Sequence, residues 1–125
     1  MLCDALERIA DALPGPVDRH LCLTVAARLV PLVRDAQRYE EEAVFPLFAI
    51  DDQRIASVRR LKAEHVEDET LAGDLTESLL SIGHGARIEN PEALGFTLRA
   101  FFEALRRHIA FEHEHIVPLL RQPRA

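Results

Sequence analysis

Two histidine–glutamate pairs with helical spacing are the residues of this 125-residue chain whose types are best suited to chemistry. His65 precedes Glu69 by four residues and His108 precedes Glu112 by four, so each pair leaves one face of a helix. On a helical wheel each glutamate falls about 40° from its histidine, inside a stripe of apolar residues. A carboxylate in that position is costly unless it is paired or holds a metal ion. The spacing therefore predicts a buried cluster of imidazole and carboxylate groups.

A third acid, Glu40, has the same kind of position on another predicted helix. With Val25 set to zero, Glu40 falls at about 60°, in the middle of an apolar stripe, and Glu41 falls at about 160°, at its edge. Imidazole with carboxylate is a ligand mixture that non-haem iron and manganese accept, and one carboxylate can bridge two such ions. We therefore predict a site for one or two non-haem iron ions, with manganese and zinc as alternatives.

The predicted metal ligands come from three helices and comprise Glu40, His65, Glu69, His108 and Glu112. Two further residues are predicted beside them, either as ligands or as supports of the ligands: Glu41 and His115. One histidine–glutamate pair alone would be explained better as a hydrogen-bonded core pair. Three acids in one core without a cation would cost several kcal/mol for each unpaired charge, which favours a metal. The two cysteines, Cys3 and Cys22, show no ligand spacing and are predicted to be core thiols.

Four segments with helical periodicity supply these positions. The first is short, covering about residues 2–13, and the second is long, covering about residues 17–48, with a predicted kink at Pro31. The third begins at Asp51, an N-cap residue, and the fourth begins at Asn90, which precedes a proline. Short connections between four helices predict an all-α, antiparallel up-and-down four-helix bundle.

Composition is that of an ordinary globular chain, with 48% hydrophobic and 29% charged residues, and we expect a single domain over residues 1–125. The net charge of -6 argues against nucleic-acid binding. A secretory signal and a stretch long enough to span a membrane are both missing from the pattern, so we expect no membrane association and a cytoplasmic location. The second helix is predicted to be more than twice as long as the first, which would leave apolar surface for a homodimer contact.

Several motifs of the chain resemble those of one known family over about residues 17–120. They are Glu64-His65 on the third helix, His108-x-x-x-Glu112 followed by Val117-Pro118-Leu119 on the fourth, and Glu40-Glu41-Glu42-Ala43-Val44-Phe45-Pro46-Leu47 on the second. In these motifs the chain resembles the hemerythrin family, and in particular its bacterial hemerythrin-like, or HHE cation-binding, domains.

The resemblance implies an up-and-down four-helix bundle with a non-haem iron centre, usually two irons bridged by carboxylates. Proteins of this family bind oxygen, or sense oxygen, nitric oxide or redox state. The implied ligands are His65, His108, Glu112 and one glutamate of the second helix. Glu112 lies six residues before Pro118, and the same count back from Pro46 selects Glu40 as that glutamate. Aligning Gln37 with the family's histidine selects Glu41 instead. The helical wheel favours Glu40.

The chain also departs from the family pattern, because it has no counterpart of the first-helix histidine, and Ala36 or Gln37 replaces the second-helix histidine. With Glu69 added, the predicted set of two imidazoles and three carboxylates is closer to that of ferritin-like di-iron sites. We predict a small metal-binding protein, rather than an enzyme, that senses or handles oxygen, nitric oxide, peroxide or iron. The alternatives are a di-iron carboxylate oxidase or peroxidase, and a metal-free regulatory interaction bundle.

Overall fold

The computed structural model describes residues 2–116 and Pro118, apart from the side chains of residues 115 and 116. Throughout these residues the regular structure is helical. In chain order the helices are α1 (Leu2–Ala12), α2 (Arg19–Tyr39), π1 (Glu40–Val44), α3 (Phe45–Phe48), α4 (Asp52–Gly83), α5 (Pro91–Phe111) and π2 (Glu112–Ile116). Helices α2, π1 and α3 follow one another without a break, so the described chain forms four helical rods.

The helices begin at the capping residues that the sequence provides. The side chain of Asp51 accepts the backbone N–H of Arg54 at 2.8 Å, and that of Asn90 accepts the N–H of Ala93 at 3.0 Å. Each contact satisfies one of the N–H groups that a first helical turn leaves free. The predicted starts of the third and fourth helices are therefore confirmed.

Two apolar clusters hold the rods together. The larger one is built from α1, α2, α4 and α5, and its fully buried members include Leu6, Leu29, Leu79 and Leu98. The smaller one joins π1 and α3 to α4 and consists of Val44, Phe45, Phe48 and Val58. Along the chain, each of the three polar residues Glu40, His65 and His108 lies between a segment of the larger cluster and a residue packed in the smaller one. The polar group is therefore enclosed by apolar packing.

Helix α1 packs on α5, and α2 packs along α4. Arg106 of α5 forms ion pairs with Asp4 at 2.9 Å and Glu7 at 3.1 Å, and Arg99 forms one with Asp11 at 2.7 Å. These pairs fix α1 beside the stretch of α5 from Arg99 to Arg106. The first described residue of α1 is Leu2, close in sequence to Asp4, so α1 starts at about the level of Arg106.

Two features differ from a regular helix running to residue 48. The second rod is interrupted by the π-helical turn Glu40–Val44, which the sequence pattern did not predict. With Val25 set to zero on the wheel, Leu32 falls at about −20°, within the apolar stripe, yet it is 48% exposed. Helix α2 continues through Pro31, and the predicted kink there stays a prediction. Among the described helices, none combines the length and apolar character needed to cross a membrane.

Candidate metal centre

The carboxylate of Glu40 lies between two imidazole rings from different helices. Its Oε1 is 2.9 Å from Nε2 of His108 on α5, and its Oε2 is 3.2 Å from Nε2 of His65 on α4. One ligand atom from each of the three residues lies within 4.8 Å of the others. Glu40 and His65 are buried, and the side chain of His108 is 18% exposed. The structure thus brings together three of the predicted ligands.

The π1 turn sets the position of Glu40. The backbone N–H of Phe45 donates to the carbonyl of Glu40, five residues back, instead of four. Pro46 follows at once, and a proline in a regular helix would clash with the carbonyl four residues before it, which here is that of Glu42. A wider turn relieves this clash. Glu112 also begins a π-helical turn, π2, and also lies six residues before a proline.

Three carboxylate oxygens surround one nitrogen of His108. Both oxygens of Glu40 lie 2.9 Å from Nε2, and Oε1 of Glu112 lies 2.8 Å from it. A ring nitrogen carries at most one N–H, which cannot point at three acceptors at once. A cation placed among these groups would interact with all of the oxygens. The Glu112 side chain is 26% exposed, so it closes the outer side of the cluster.

The other imidazole, His65, is held by residues of the second rod. Its Nδ1 is 3.3 Å from Oε1 of Glu41, and its backbone carbonyl accepts the side-chain N–H of Gln37 at 2.9 Å. The ring of Phe45 stacks on it, with 5.6 Å between centroids and 20° between planes. Its Nε2 is buried and has no hydrogen-bond partner among the described residues. The 3.2 Å contact with Glu40 brings an oxygen close to Nε2, but outside hydrogen-bonding geometry.

Protonation of the central carboxylate follows from its neighbours. Burial alone would raise the pKa of Glu40, but the contacts with His108 and His65 lower this pKa far below its usual value. Burial would lower the pKa of His65, but the Glu40 and Glu41 carboxylates raise it further than burial lowers it. Glu40 is therefore the fixed negative charge of the cluster.

The pKa values of His108 and Glu112, at the outer side of the cluster, are both raised. The carboxylates of Glu112 and Glu40 together raise the pKa of His108 to about 10. Burial raises the pKa of Glu112, and the nearby Glu40 carboxylate raises it further, although His108 acts against this. Two acids this close cannot both ionise easily without a cation beside them. The cluster therefore holds excess negative charge that His108 offsets by keeping its proton.

The remaining predicted site residues lie elsewhere. Glu69 accepts a hydrogen bond from Nε of Arg34 at 2.6 Å, and its side chain is 39% exposed, so the structure does not bring it to the Glu40 cluster. Glu41 reaches Nδ1 of His65 and does not join the three-residue group. The side chain of His115 lies outside the described part of the chain.

One further acid, which the histidine–glutamate spacing did not single out, lies near the site. Asp68 is half-buried and lines a cavity of about 40 Å³ together with Glu40, His65 and His108. Burial raises the pKa of Asp68, although the two imidazoles act against this. On the wheel Asp68 lies about 60° from His65 on the side opposite Glu69, so periodicity alone could not decide between the two acids.

The donor atoms fit a metal ion. Two imidazoles with one carboxylate, supplied here by His65, His108 and Glu40, form the set that holds non-haem iron while leaving coordination positions open. Glu112 adds a fourth donor group within reach of His108. The buried, unpartnered Nε2 of His65 is the kind of atom that a bound cation would satisfy. The three ligand atoms lie within 4.8 Å of one another, and two atoms bound to one ion at about 2.1 Å are at most about 4.2 Å apart, so a small inward shift of the side chains would bring all three onto one ion.

An all-helical fold with imidazole and carboxylate groups enclosed between its rods is typical of a metal-binding helical bundle. The family model of the hemerythrin HHE cation binding domain matches residues 1–120, and the chain belongs to this family. Membership indicates that the protein binds a metal cation, for which iron is the usual choice in the family. No curated protein and no solved structure matches the chain.

Proposed function

We propose that this protein binds non-haem iron through Glu40, His65, His108 and Glu112, and that it senses or handles oxygen, nitric oxide or peroxide at this site. The observation that carries the proposal is the position of the Glu40 carboxylate, which lies within 3.2 Å of Nε2 of both histidines. Direct contacts between an acid and two imidazoles of different helices are the arrangement expected around a cation.

Each residue has a separate part in this proposal. His65 and His108 offer nitrogen lone pairs once they are neutral, and Glu40 and Glu112 offset the charge of the cation. Bound ferrous iron supplies one-electron chemistry towards small oxygen- or nitrogen-containing ligands. Glu40, His65, His108 and Glu112 would hold the ion and leave it open to such a ligand. The apolar walls on the two sides of the site limit how much water reaches it.

The cavity beside the site favours a small ligand. Its volume of about 40 Å³ exceeds the room that one water molecule needs. The walls combine the polar groups of the site with the apolar side chains of Val33, Phe101 and Leu105. A diatomic molecule or a peroxide would fit this combination. Ala36 and Gln37, the two candidates for the position of the family's second-helix histidine, also line the cavity.

We further propose the antiparallel up-and-down order for the four rods. In support, Asp4 pairs with Arg106 and Asp11 pairs with Arg99, so residue numbers rise along α1 as they fall along α5. Between α2 and α4 the same order is found, because Arg34 pairs with Glu69 and Gln37 pairs with His65.

The decisive experiment is metal analysis of protein reconstituted with ferrous iron in the absence of oxygen. We expect the wild type to retain iron after desalting and a variant with both His65→Ala and His108→Ala to retain none. His20→Ala is the matched control, since His20 is an exposed histidine of α2. If the wild type held no more iron than the double variant, the proposal would be lost.

The same samples address the two alternatives. A di-iron enzyme would bind two ions per chain and turn over peroxide or ferrous iron, but Glu69, the third acid that such a site would use, is paired with Arg34. A metal-free regulatory bundle would fold equally well without iron. Homodimer formation and a cytoplasmic location stay predictions, and the exposed side chains of Leu32, Tyr39 and Leu47 on the second rod are where we expect a dimer contact.

A further inference from the structure

We propose that Glu41 is a positioning residue that fixes His65 in the tautomer with its proton on Nδ1, so that Nε2 is free to bind the metal. This inference rests on the proposed metal-binding function. It gives Glu40 and Glu41 different tasks, with one acid on each nitrogen of the same imidazole.

The contacts of the two ring nitrogens differ in kind. Nδ1 of His65 lies 3.3 Å from Oε1 of Glu41 in hydrogen-bonding geometry. Nε2 has no hydrogen-bond partner among the described residues, although Oε2 of Glu40 is 3.2 Å away. A carboxylate can only accept, so the contact with Glu41 requires an N–H on Nδ1. A neutral imidazole has one N–H, and its lone pair is then on Nε2.

The ring is also held against rotation from the same stretch of chain. Gln37 donates to the backbone carbonyl of His65 at 2.9 Å, and Phe45 stacks on the ring face. Gln37 lies near the end of α2, Glu41 lies in π1, and Phe45 is the first residue of α3. One segment of the second rod therefore holds the backbone of His65, the plane of its ring and the nitrogen that carries its proton.

The greater exposure of its side chain makes Glu41 better suited than Glu40 to orient the His65 ring. The Glu41 side chain is 39% exposed, whereas that of Glu40 is 10% exposed. Solvent can therefore stabilise a charge on Glu41 while the metal neutralises the one on Glu40. A carboxylate that accepts from the far nitrogen of a ligating histidine orients the ring and makes the ligating nitrogen more basic. Losing such a partner costs about 10-fold to 100-fold in metal affinity.

The experiment compares Glu41→Ala and Glu41→Gln with the wild type. Nitrogen-15 NMR of the histidine rings, recorded on metal-free protein as the pH is raised until the His65 ring is neutral, reports which nitrogen carries the remaining proton. His65→Ala assigns the His65 signals. Calorimetric titration with Zn²⁺, a redox-silent probe, gives the affinity of each variant.

We expect the wild type to show the proton of His65 on Nδ1. Glu41→Ala should show a mixture of both tautomers and bind Zn²⁺ about 10-fold to 100-fold more weakly. Glu41→Gln keeps an oxygen acceptor of the same length, so it should keep the tautomer and lose less affinity. Glu42→Gln, an exposed neighbour in the same turn, should match the wild type in both measurements.

Two results would overturn the inference: an unchanged His65 tautomer in Glu41→Ala, or unchanged Zn²⁺ affinity in that variant. Failure of the proposed function looks different, because the wild type itself would then bind neither Zn²⁺ nor ferrous iron. The tautomer measurement needs no metal, so it tests the contact between Glu41 and His65 in either case. If Glu41→Ala fails to fold, Glu41→Gln still tests the inference, because it removes the charge of the acceptor and should bind Zn²⁺ more weakly than Glu42→Gln does; equal affinity in these two variants would overturn it.

Discussion

Glu40 and His108 lie 68 residues apart in the chain, yet both carboxylate oxygens of Glu40 are 2.9 Å from Nε2 of His108. The first residue of a π-helical turn thus meets the last turn of α5. Since Nε2 also has Glu112 at 2.8 Å, the shortest contacts of the site converge on one nitrogen. Removing either partner should disturb every other group of the cluster.

Replacing Glu40 with Gln should weaken metal binding by at least about 100-fold, because it removes the buried charge that lies between both imidazoles. Calorimetric titration with Zn²⁺ measures this loss. Glu42→Gln is the matched control, since it removes the same charge from an exposed position of the same turn. Equal losses in both variants would show that net charge matters and the position of Glu40 does not.

Metal affinity should rise with pH between about 6.5 and about 10. Glu112 and Glu40 raise the pKa of His108 from 6.5 to about 10, so the metal-free protein holds a proton there that the cation must displace. Titrations in two buffers with different heats of protonation count the protons released. We expect release of at least part of a proton per chain at about pH 8. Binding without any proton release at that pH would contradict the assignment of His108 as a ligand.

Sequence spacing predicted the inward positions of Glu40, His65 and His108, because a wheel averaged over many turns locates the middle of an apolar stripe well. It did not distinguish Asp68 from Glu69, which flank His65 at about −60° and +40°. That choice depends on where the neighbouring helices lie. In the structure Arg34 of α2 pairs with Glu69, and Asp68 faces the cavity instead.

The spacing of apolar residues also did not predict the π-helical turn. The wheel assumes about 100° per residue throughout, whereas a π-helical turn places more residues in a turn and shifts everything after it. The helix starts at Asp51 and Asn90 were predictable for the opposite reason. A capping side chain acts on backbone within three residues of itself, so no distant contact is needed to place it.

Without metal, the fold should be most stable in the range from about pH 4.5 to about pH 6.5. The pKa of Glu40 is lowered from 4.5 in the folded state, so its contribution is present above that pH and is lost as the pH falls. The pKa of His108 is raised from 6.5 to about 10, so its contribution is complete below about pH 6.5 and is lost as the pH rises through 10. Urea unfolding of metal-free protein across this range measures the change.

The combined variant Glu40→Gln and His108→Asn is the control for this pH profile. It removes both groups whose pKa values differ most between the folded and unfolded chain. Its unfolding free energy should depend less on pH than that of the wild type. A wild-type maximum above pH 8 would be inconsistent with the shifts of these two groups.

Asp68→Asn should stabilise the metal-free protein at pH 7. Burial raises the pKa of Asp68 above its usual 3.8, so its ionised form is less favourable in the folded state than in the unfolded chain. The asparagine removes that cost, and the gain should disappear as the pH falls below 3.8, where Asp68 is protonated in both states. Thermal unfolding at pH 7 and at about pH 3 tests this. Glu77→Gln, at an exposed position of α4, should change neither temperature.

Pro46→Ala should weaken Zn²⁺ binding by about 10-fold while leaving the fold intact. The proline lacks an N–H and would clash with the carbonyl of Glu42 in a regular helix, and π1 is the wider turn that avoids this. Alanine restores the N–H, permits regular helical hydrogen bonds, and so removes the reason for Glu40 to stay in its present direction. Circular dichroism checks the fold, and calorimetry measures the affinity.

Pro31→Ala is the matched control for this change. Pro31 lies within α2, where the helix continues without a π-helical turn, and it is exposed. Replacing it should raise helix stability and leave Zn²⁺ affinity unchanged, because no ligand direction depends on it. If both proline variants bound Zn²⁺ as tightly as the wild type, the direction of Glu40 would have to come from the packing of Val44 and Phe45, and the proline would have no part in setting it.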